Sequence, residues 1–542
     1  MTRVILLDPI AQEGLDLLDA APGIEYESRV GLKGKDLHDA LAQFDGAICR
    51  SGVKITAEAL GGNRRLRAIV RAGVGTDNID KQAATRLGIV VMNTPAGNTL
   101  STAEHTMALM LGLARNIAPA YAALREGRWD RQSHMGTQLA GKVLGIVGLG
   151  RIGLQVASRA LAFQMRVLGF DPFVSAEQAA RLGIERVASV DEMLPRVDFL
   201  TVHTPLSPET RHLVGRPQLE LLKPGARLIN AARGGIYDEA ALMEGLKSGR
   251  IAGVALDAFE NEPCTNSPLF DMPGVLCTPH LGASTEEAQT LVAVEAVQLL
   301  VAFLTTGEVR NAVNMAAIDA KTLEAMRGYI DVAYRLGRLL AQWHEGGASG
   351  CSLHYRGEVT RRDTKLLTSA FCAGLLEGAM TEEVNVVNSQ FLLAERGIHL
   401  TEQSRGEMGA FSSSITATLT SNGKSYVAGG TLFGHNMPRL FRLGDFRIEA
   451  YLDGTLLIFT HDDVPGIIGS IGTTLGAHHV NIAQMAVGRS GTAPGGGAIG
   501  VLNLDSPPPQ EAIDEVLRHK AIHSARVISM PAAGELPSWM PG

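Results

Sequence analysis

Three ionisable residues stand beside turn-forming glycine or proline in the middle of this 542-residue chain. Arg233 lies in NAARGGIYDE, Glu262 in ALDAFENEP and His280 in CTPHLGAST, each just past an apolar run that reads as a strand. Imidazole, carboxylate and guanidinium together suit the oxidation of an alcohol to a ketone by hydride transfer. The imidazole titrates near neutral pH and can take the hydroxyl proton. A carboxylate beside it holds one tautomer and favours the protonated ring, and a guanidinium can clamp a substrate carboxylate through two parallel bonds. Taken singly, Arg233 fits a cap or salt bridge, Glu262 a solvated acid and His280 a turn histidine. Only their meeting in space would make them one constellation.

Hydride chemistry needs a carrier, and the stretch Lys142–Asp171, KVLGIVGLGRIGLQVASRALAFQMRVLGFD, has the form of a carrier site. Lys142–Val147 reads as an apolar strand, Gln155–Phe163 as a helix, and Arg166–Phe170 as a second strand ending on Asp171. Gly148 allows a tight turn, Gly150 lets the backbone approach a pyrophosphate, and Gly153 lets the helix pack close to its strand. The N-terminal end of that helix attracts phosphate. Asp171 can accept both ribose hydroxyls and would repel a 2′-phosphate, so the expected cofactor is NAD rather than NADP.

The elements that must position these groups follow from alternation along the chain. Strands at Arg3–Leu7, Gly46–Arg50, Ala68–Arg71 and Ile89–Asn93, with helices between, predict a parallel sheet over residues 1–98. The apolar helix Ser101–Asn116 reads as buried between two lobes. Further strands at Asp198–Val202, Arg227–Asn230, Ala252–Leu256 and Val275–Cys277 extend the dinucleotide lobe over 99–284. Loops at the carboxyl ends of such strands are where open α/β sheets bind ligands. Ser284-Thr285-Glu286-Glu287 reads as a capping box opening a long helix that returns to the first lobe over 285–315. Residues 316–450 mix a helix (Leu323–Trp343) with strand-like alternation, and 453–528 read as a small α+β module. The tail PAAGELPSWMPG reads as disordered.

Length allows three or four domains. The formal charge of −7 is diluted over the chain and points to neither nucleic acid nor an anionic membrane. Five scattered cysteines without CxxC spacing argue for a reducing, cytoplasmic setting without disulfides or a metal site. The apolar run Leu291–Leu304 is interrupted by Glu295 and Gln298 and is too short to span a bilayer.

GLGRIG, HTPLSPET, NAARGGIYDEAAL, GVALDAFENEP and PHLGASTEEA together resemble the D-isomer-specific 2-hydroxyacid dehydrogenases, over residues 1–315. The resemblance implies a Rossmann-type NAD-binding domain inserted in a flavodoxin-like α/β substrate domain. It implies that Arg233 orients substrate and cofactor, that Glu262 supports His280, and that His280 is the acid/base. Implied cofactor contacts are Gly148, Gly150, Arg151, Ile152, Gly153, Asp171, Thr204, Ala231, Ala232, Asp257, Gly282 and Ala283.

Three further segments resemble the branch of that family acting on 3-phosphoglycerate. RSGVKIT, RAGVGTDNID and NTPAGNTLSTAEH would supply Arg50, Ser51, Arg71, Gly73, Val74 and Asn98 to the substrate. WDRQSHMGTQLAGK would supply Arg131, reaching a neighbouring subunit's substrate phosphate. His134 stands where the family often has an aromatic residue, and Val74 where a relative has Thr. VNVVNSQFLLAERGI and VAGGTLFGHNMPRLFRLGDF resemble an α+β intervening domain, and HDDVPGIIGSIGTTLGAHHVNIAQM a ferredoxin-like ACT domain. The expected protein is thus an NAD-dependent homo-oligomer, dimer or tetramer, converting 3-phosphoglycerate to 3-phosphooxypyruvate at the start of serine biosynthesis. His461, Asp463 and Asn481 are the expected contacts for L-serine as effector. The alternative of another class is an NAD(H)-sensing binding protein of the same fold.

Overall fold

The computed structural model describes all residues except 316–318, 345–346, 381–383, 435, 492–494, 538 and 541–542. The first sheet has five parallel strands, β1 (Thr2–Leu6), β2 (Ile24–Ser28), β3 (Gly46–Cys49), β4 (Ala68–Arg71) and β5 (Val90–Asn93), ordered β2-β1-β3-β4-β5. That is the flavodoxin-like order, whose switch point lies between β1 and β3. Every residue of β3 is buried, as expected where helices cover both faces of a parallel sheet. The helix Glu286–Thr306 returns here and packs on the helix Gln12–Asp19 and on β3 and β4. It is long and apolar enough to cross a membrane, yet Val292, Ala296, Val297 and Leu300 are buried in the core of this lobe.

The second sheet holds β6 (Val143–Val147), β7 (Arg166–Phe170), β8 (Ile184–Arg186), β9 (Phe199–Val202), β10 (Ala226–Asn230), β11 (Ile251–Leu256) and β12 (Val275–Cys277). Its order, β12-β11-β10-β9-β6-β7-β8, is the doubly wound Rossmann arrangement, all parallel, with its switch point between β6 and β9. The helix Thr99–Ala114 packs on this sheet and on the helix Arg151–Ala162.

A third, six-stranded sheet runs β14-β13-β15-β16-β17-β18, from β13 (Ala348–Gly357), β14 (His399–Arg405), β15 (Ser413–Ser421), β16 (Lys424–Phe433), β17 (Met437–Leu443) and β18 (Phe446–Tyr451). Helices Ala320–Trp343 and Lys365–Leu376 pack together, and the first of them covers the sheet. The last sheet, β20-β21-β19-β22, comes from β19 (Thr455–Asp462), β20 (Ile482–Arg489), β21 (Gly497–Leu504) and β22 (Ile522–Ser529), with helices Ile467–Ala477 and Gln510–Leu517 in a βαββαβ ferredoxin-like order.

Four sequence expectations need correction. The fingerprint helix opens at Arg151 rather than Gln155, so Arg151, Ile152 and Gly153 form its first turn. The return helix is capped by Thr285 alone, whose hydroxyl accepts the Ala288 N–H at 3.2 Å; the third helical position is an alanine and cannot complete a box. Strands β2 and β8 were not anticipated: IEYES is partly exposed and polar, and IER is too short to show a period. The tail expected to be disordered is packed in its described part. Arg335, wholly buried on the helix Ala320–Trp343, donates to the carbonyls of Leu452, Pro531, Ala532 and Glu535 and to Asp331. All five guanidinium N–H groups are thereby used. Trp539 meets Tyr334 edge-on, and Met540 is buried. One buried cation therefore binds the entry to the last domain, its exit and the tail. A Pro- and Gly-rich composition hid this, because the partners are backbone carbonyls.

Candidate active site

The dinucleotide turn sits at the switch point of the second sheet. Gly148, directly after β6, has φ +93°. A side chain there would strike the His203 carbonyl just past β9, and one at Gly153 would strike the Gly148 carbonyl. Both positions therefore require glycine. None of the described residues lies within 4 Å of a side-chain position at Gly150, leaving open space over the helix N-terminus. Asp171 follows β7, where its carboxylate accepts the N–H of Leu149 at 2.9 Å and of Phe173 at 2.8 Å. This pins the acid beside the turn. The Thr204 hydroxyl is buried without a partner among the described residues, as is His203 Nδ1. Burial also pushes the His203 pKa down to about 4, so that ring is neutral. Open space at a helix N-terminus, a fixed acid and an orphaned hydroxyl fit an NAD molecule. The pyrophosphate would lie over Gly150 and Arg151, and the ribose at Asp171.

Loops after β10, β11 and β12 carry the three candidate catalytic residues. The Asn230 side chain braces the first loop, donating to the Arg233 carbonyl at 2.8 Å and accepting the Ala232 N–H at 3.0 Å; Ala231 is buried beside it. Arg233 crosses to the first lobe, where its Nε donates to Asp77 at 2.9 Å. Nδ1 of His280 lies 2.7 Å from Oε2 of Glu262, whose Oε1 accepts the Phe259 N–H at 3.0 Å. Burial raises the Glu262 carboxyl. His280, the Phe259 N–H and Arg233 outweigh it and hold the pKa below the usual value.

Beneath this pair is a second imidazole and carboxylate. Asp257 is 1% exposed and accepts the N–H groups of Leu281 (2.7 Å) and Gly282 (2.8 Å) and the Thr278 hydroxyl (2.6 Å). His105 Nε2 lies 3.2 Å from it. Burial raises the Asp257 carboxyl, but His105, Thr278 and Leu281 more than offset that and lower it overall. Asp257, read as a cofactor contact, thus braces the loop that carries His280. Gln289 donates to the Ala283 carbonyl at 2.6 Å and fixes the loop's far end.

On the first lobe, Arg50 follows β3 at that sheet's switch point. Its N–H donates to Asp8 after β1, and its Nη1 to the Pro9 carbonyl. Ser51 is exposed beside it. Arg71 ends β4 with Nε buried and unpartnered, and its guanidinium fills the space a side chain at Gly73 would need. Asn93 donates to the Val74 carbonyl. Asn98 Oδ1 is buried without a partner among the described residues. Orphaned polar atoms are costly unless a ligand satisfies them, and Arg71, Asn98 and Thr204 share this property. Arg131 stands apart on an exposed loop between Trp129 and Met135, both strongly exposed.

The three effector candidates lie within the last domain. Asp463 pairs with Arg489 at 2.9 Å and accepts the Gly495 N–H; Asn481 donates to Asp505 at 2.7 Å. His461 is 3% exposed, with Nε2 unpartnered.

Asp77, His105, Thr278, Asn230 and Asp8 were not anticipated. Asp77 lies inside the segment RAGVGTDNID and His105 inside NTPAGNTLSTAEH. Only the packing of one element on another gives them partners.

The fold and the domain order have counterparts among known proteins. The D-isomer specific 2-hydroxyacid dehydrogenase NAD-binding domain matches residues 107–282, the D-3-phosphoglycerate dehydrogenase intervening domain 325–444, and the ACT domain 455–520. A D-3-phosphoglycerate dehydrogenase of Archaeoglobus fulgidus is 38% identical over 97% of this chain and 100% of its own. One of Bacillus subtilis is 37% identical over 98% and 100%. Among solved structures, the TT0316 protein of Thermus thermophilus is 35% identical with TM-score 0.53, covering 58% of this chain and 100% of its own. The D-lactate dehydrogenase of Escherichia coli, at 28% identity and TM-score 0.51, likewise covers 58% and 100%. The curated relatives, by contrast, match along nearly the whole chain. The chain belongs to the D-3-phosphoglycerate dehydrogenase family.

Proposed function

We propose that the chain oxidises 3-phospho-D-glycerate to 3-phosphooxypyruvate with NAD, the first step of L-serine biosynthesis. The observation that carries the reading is the His280–Glu262 pair with Arg233 within electrostatic reach of Glu262. NAD, when bound, would supply the hydride acceptor for oxidation at the substrate C2. His280 takes the hydroxyl proton, and Glu262 stabilises the charge this places on the ring. Arg233 clamps the carboxylate and polarises the forming carbonyl. Arg50 and Arg71 are positioned to receive the phosphate end, and Asn98 offers an acceptor to the hydroxyl. Formation of NADH from 3-phosphoglycerate by the purified chain tests the reading.

Two finer assignments belong to it. The enzyme is a cytoplasmic homo-oligomer in which Arg131 completes a neighbour's phosphate site; the exposed Ile117, Tyr121, Leu124, Trp129 and Met135 around it support an interface there. The ACT domain binds L-serine, whose ammonium would displace Arg489 from Asp463. Calorimetric titration with L-serine, against D-serine and glycine, tests this; absence of heat at millimolar concentration contradicts it.

A further inference from the structure

We propose that Asp77 is a positioning residue that aims Arg233 at the substrate. The inference rests on Arg233 as the carboxylate clamp. Asp77 follows β4 on the first lobe, and Arg233 follows β10 on the second. Arg233 gives its Nε to Asp77 at 2.9 Å and one Nη1 proton to the Ala232 carbonyl at 2.6 Å. These two bonds fix the guanidinium plane and leave the second Nη1 proton and Nη2 for a ligand. A carboxylate is gripped bidentately only by a guanidinium whose plane is already set.

Two further observations support it. A side chain at Gly75, two residues before Asp77, would collide with Arg233 Nη2, so the loop is shaped around the guanidinium. Arg50, Arg71, Arg233 and Asp77 also lie within electrostatic reach, and Asp77 opposes the mutual repulsion of the three cations. The Asp77 side chain is 66% exposed and that of Arg233 29%. An ion pair so exposed does little for stability. Its value is geometric.

The test uses full-length Asp77→Ala, Asp77→Asn and Gly75→Ala. Asp77→Ala lowers kcat/KM for 3-phosphoglycerate by roughly 10- to 100-fold, the range for a lost charge-assisted hydrogen bond, through both kcat and KM. Asp77→Asn, which keeps an acceptor for Nε, recovers part of the loss. Gly75→Ala reproduces it by wedging the guanidinium aside. The NADH Kd and the Tm stay at wild-type values in all three. Wild-type turnover, measured alongside, tests the functional reading separately, and calorimetric binding of oxamate to the NADH complex reads the clamp without turnover. Asp77→Ala with kcat/KM and oxamate affinity within twofold of wild type overturns the inference. So does a lowered KM, which would make Asp77 a competitor for Arg233. A parallel fall in Tm and NADH affinity also overturns it, making the pair a structural strut instead.

Discussion

Glu262 presents one carboxylate oxygen to Nδ1 of His280 at 2.7 Å and the other to the Phe259 N–H at 3.0 Å. The carboxylate is thus fixed by backbone before it orients the ring, leaving Nε2 for the substrate hydroxyl. His280→Ala should lower kcat by roughly 10²–10⁴-fold and leave NADH affinity nearly intact. Glu262→Gln should lose less. A carboxyl whose folded pKa is depressed stabilises the fold above its unfolded pKa and loses that stabilisation as pH falls through the folded value. The Glu262 carboxyl is so depressed. Its pairing should persist in weakly acidic buffer and fail only below the ordinary carboxylate range. Steady-state kinetics and thermal unfolding across pH check both statements.

Cofactor choice should reside in Asp171, held just past β7 by Leu149 and Phe173. Asp171→Ala removes both the acceptor for ribose hydroxyls and the charge that repels a 2′-phosphate. The ratio of kcat/KM for NAD over NADP should fall at least about tenfold, or about 1.4 kcal/mol. An unchanged ratio would place discrimination elsewhere.

Recognition of phosphate should separate Arg50 and Arg131 from Arg233. Truncating Arg50 or Arg131 to Ala should raise KM for 3-phosphoglycerate by the equivalent of roughly 1.5–3 kcal/mol. Slow turnover of 2-hydroxyglutarate should change much less. On the proposed role of Arg131 in a neighbour's site, its effect should vanish in a dissociated protomer. Equal losses on both substrates would contradict a phosphate role.

The clamp at Arg335 makes a prediction about stability. Replacing it by Leu leaves Asp331 without its partner at 2.7 Å and removes a donor from four carbonyls, of which Pro531 and Ala532 each keep one backbone N–H. Breaking one partner of a buried pair costs about 3–5 kcal/mol. The described tail should then become open to proteolysis at Pro531–Glu535, and the last domain should unfold earlier than the first two lobes. Limited proteolysis with mass analysis and calorimetric unfolding read these effects.

The legible parts of this chain were those where local pattern and local chemistry coincide. The β6 turn could be read because Gly148, Gly150, Gly153 and Asp171 all belong to one βαβ unit. Buried parallel strands such as β3 and β9 announced themselves as short continuous apolar runs. Arg233, Glu262 and His280 could be picked out as residue types in post-strand loops. Their meeting rested on resemblance, since each sits on a separate loop well apart in the chain. Asp77 and His105 were not legible at all: each acquires its role only when one lobe or one helix packs on another. The packed tail was hidden for the same reason, its binding groups being carbonyls that every residue carries.

The most direct measurement is NADH formation by the purified chain given NAD and 3-phospho-D-glycerate, D-glycerate or D-2-hydroxyglutarate in turn. The arrangement of Arg50, Arg71, Arg233 and His280 predicts saturable NADH formation with 3-phosphoglycerate and loss of the signal in His280→Ala. It also predicts a kcat/KM at least about a hundredfold lower with glycerate, or about 2.7 kcal/mol. Turnover of glycerate equal to that of the phosphorylated acid, or NAD binding with no turnover of any of the three, would contradict it.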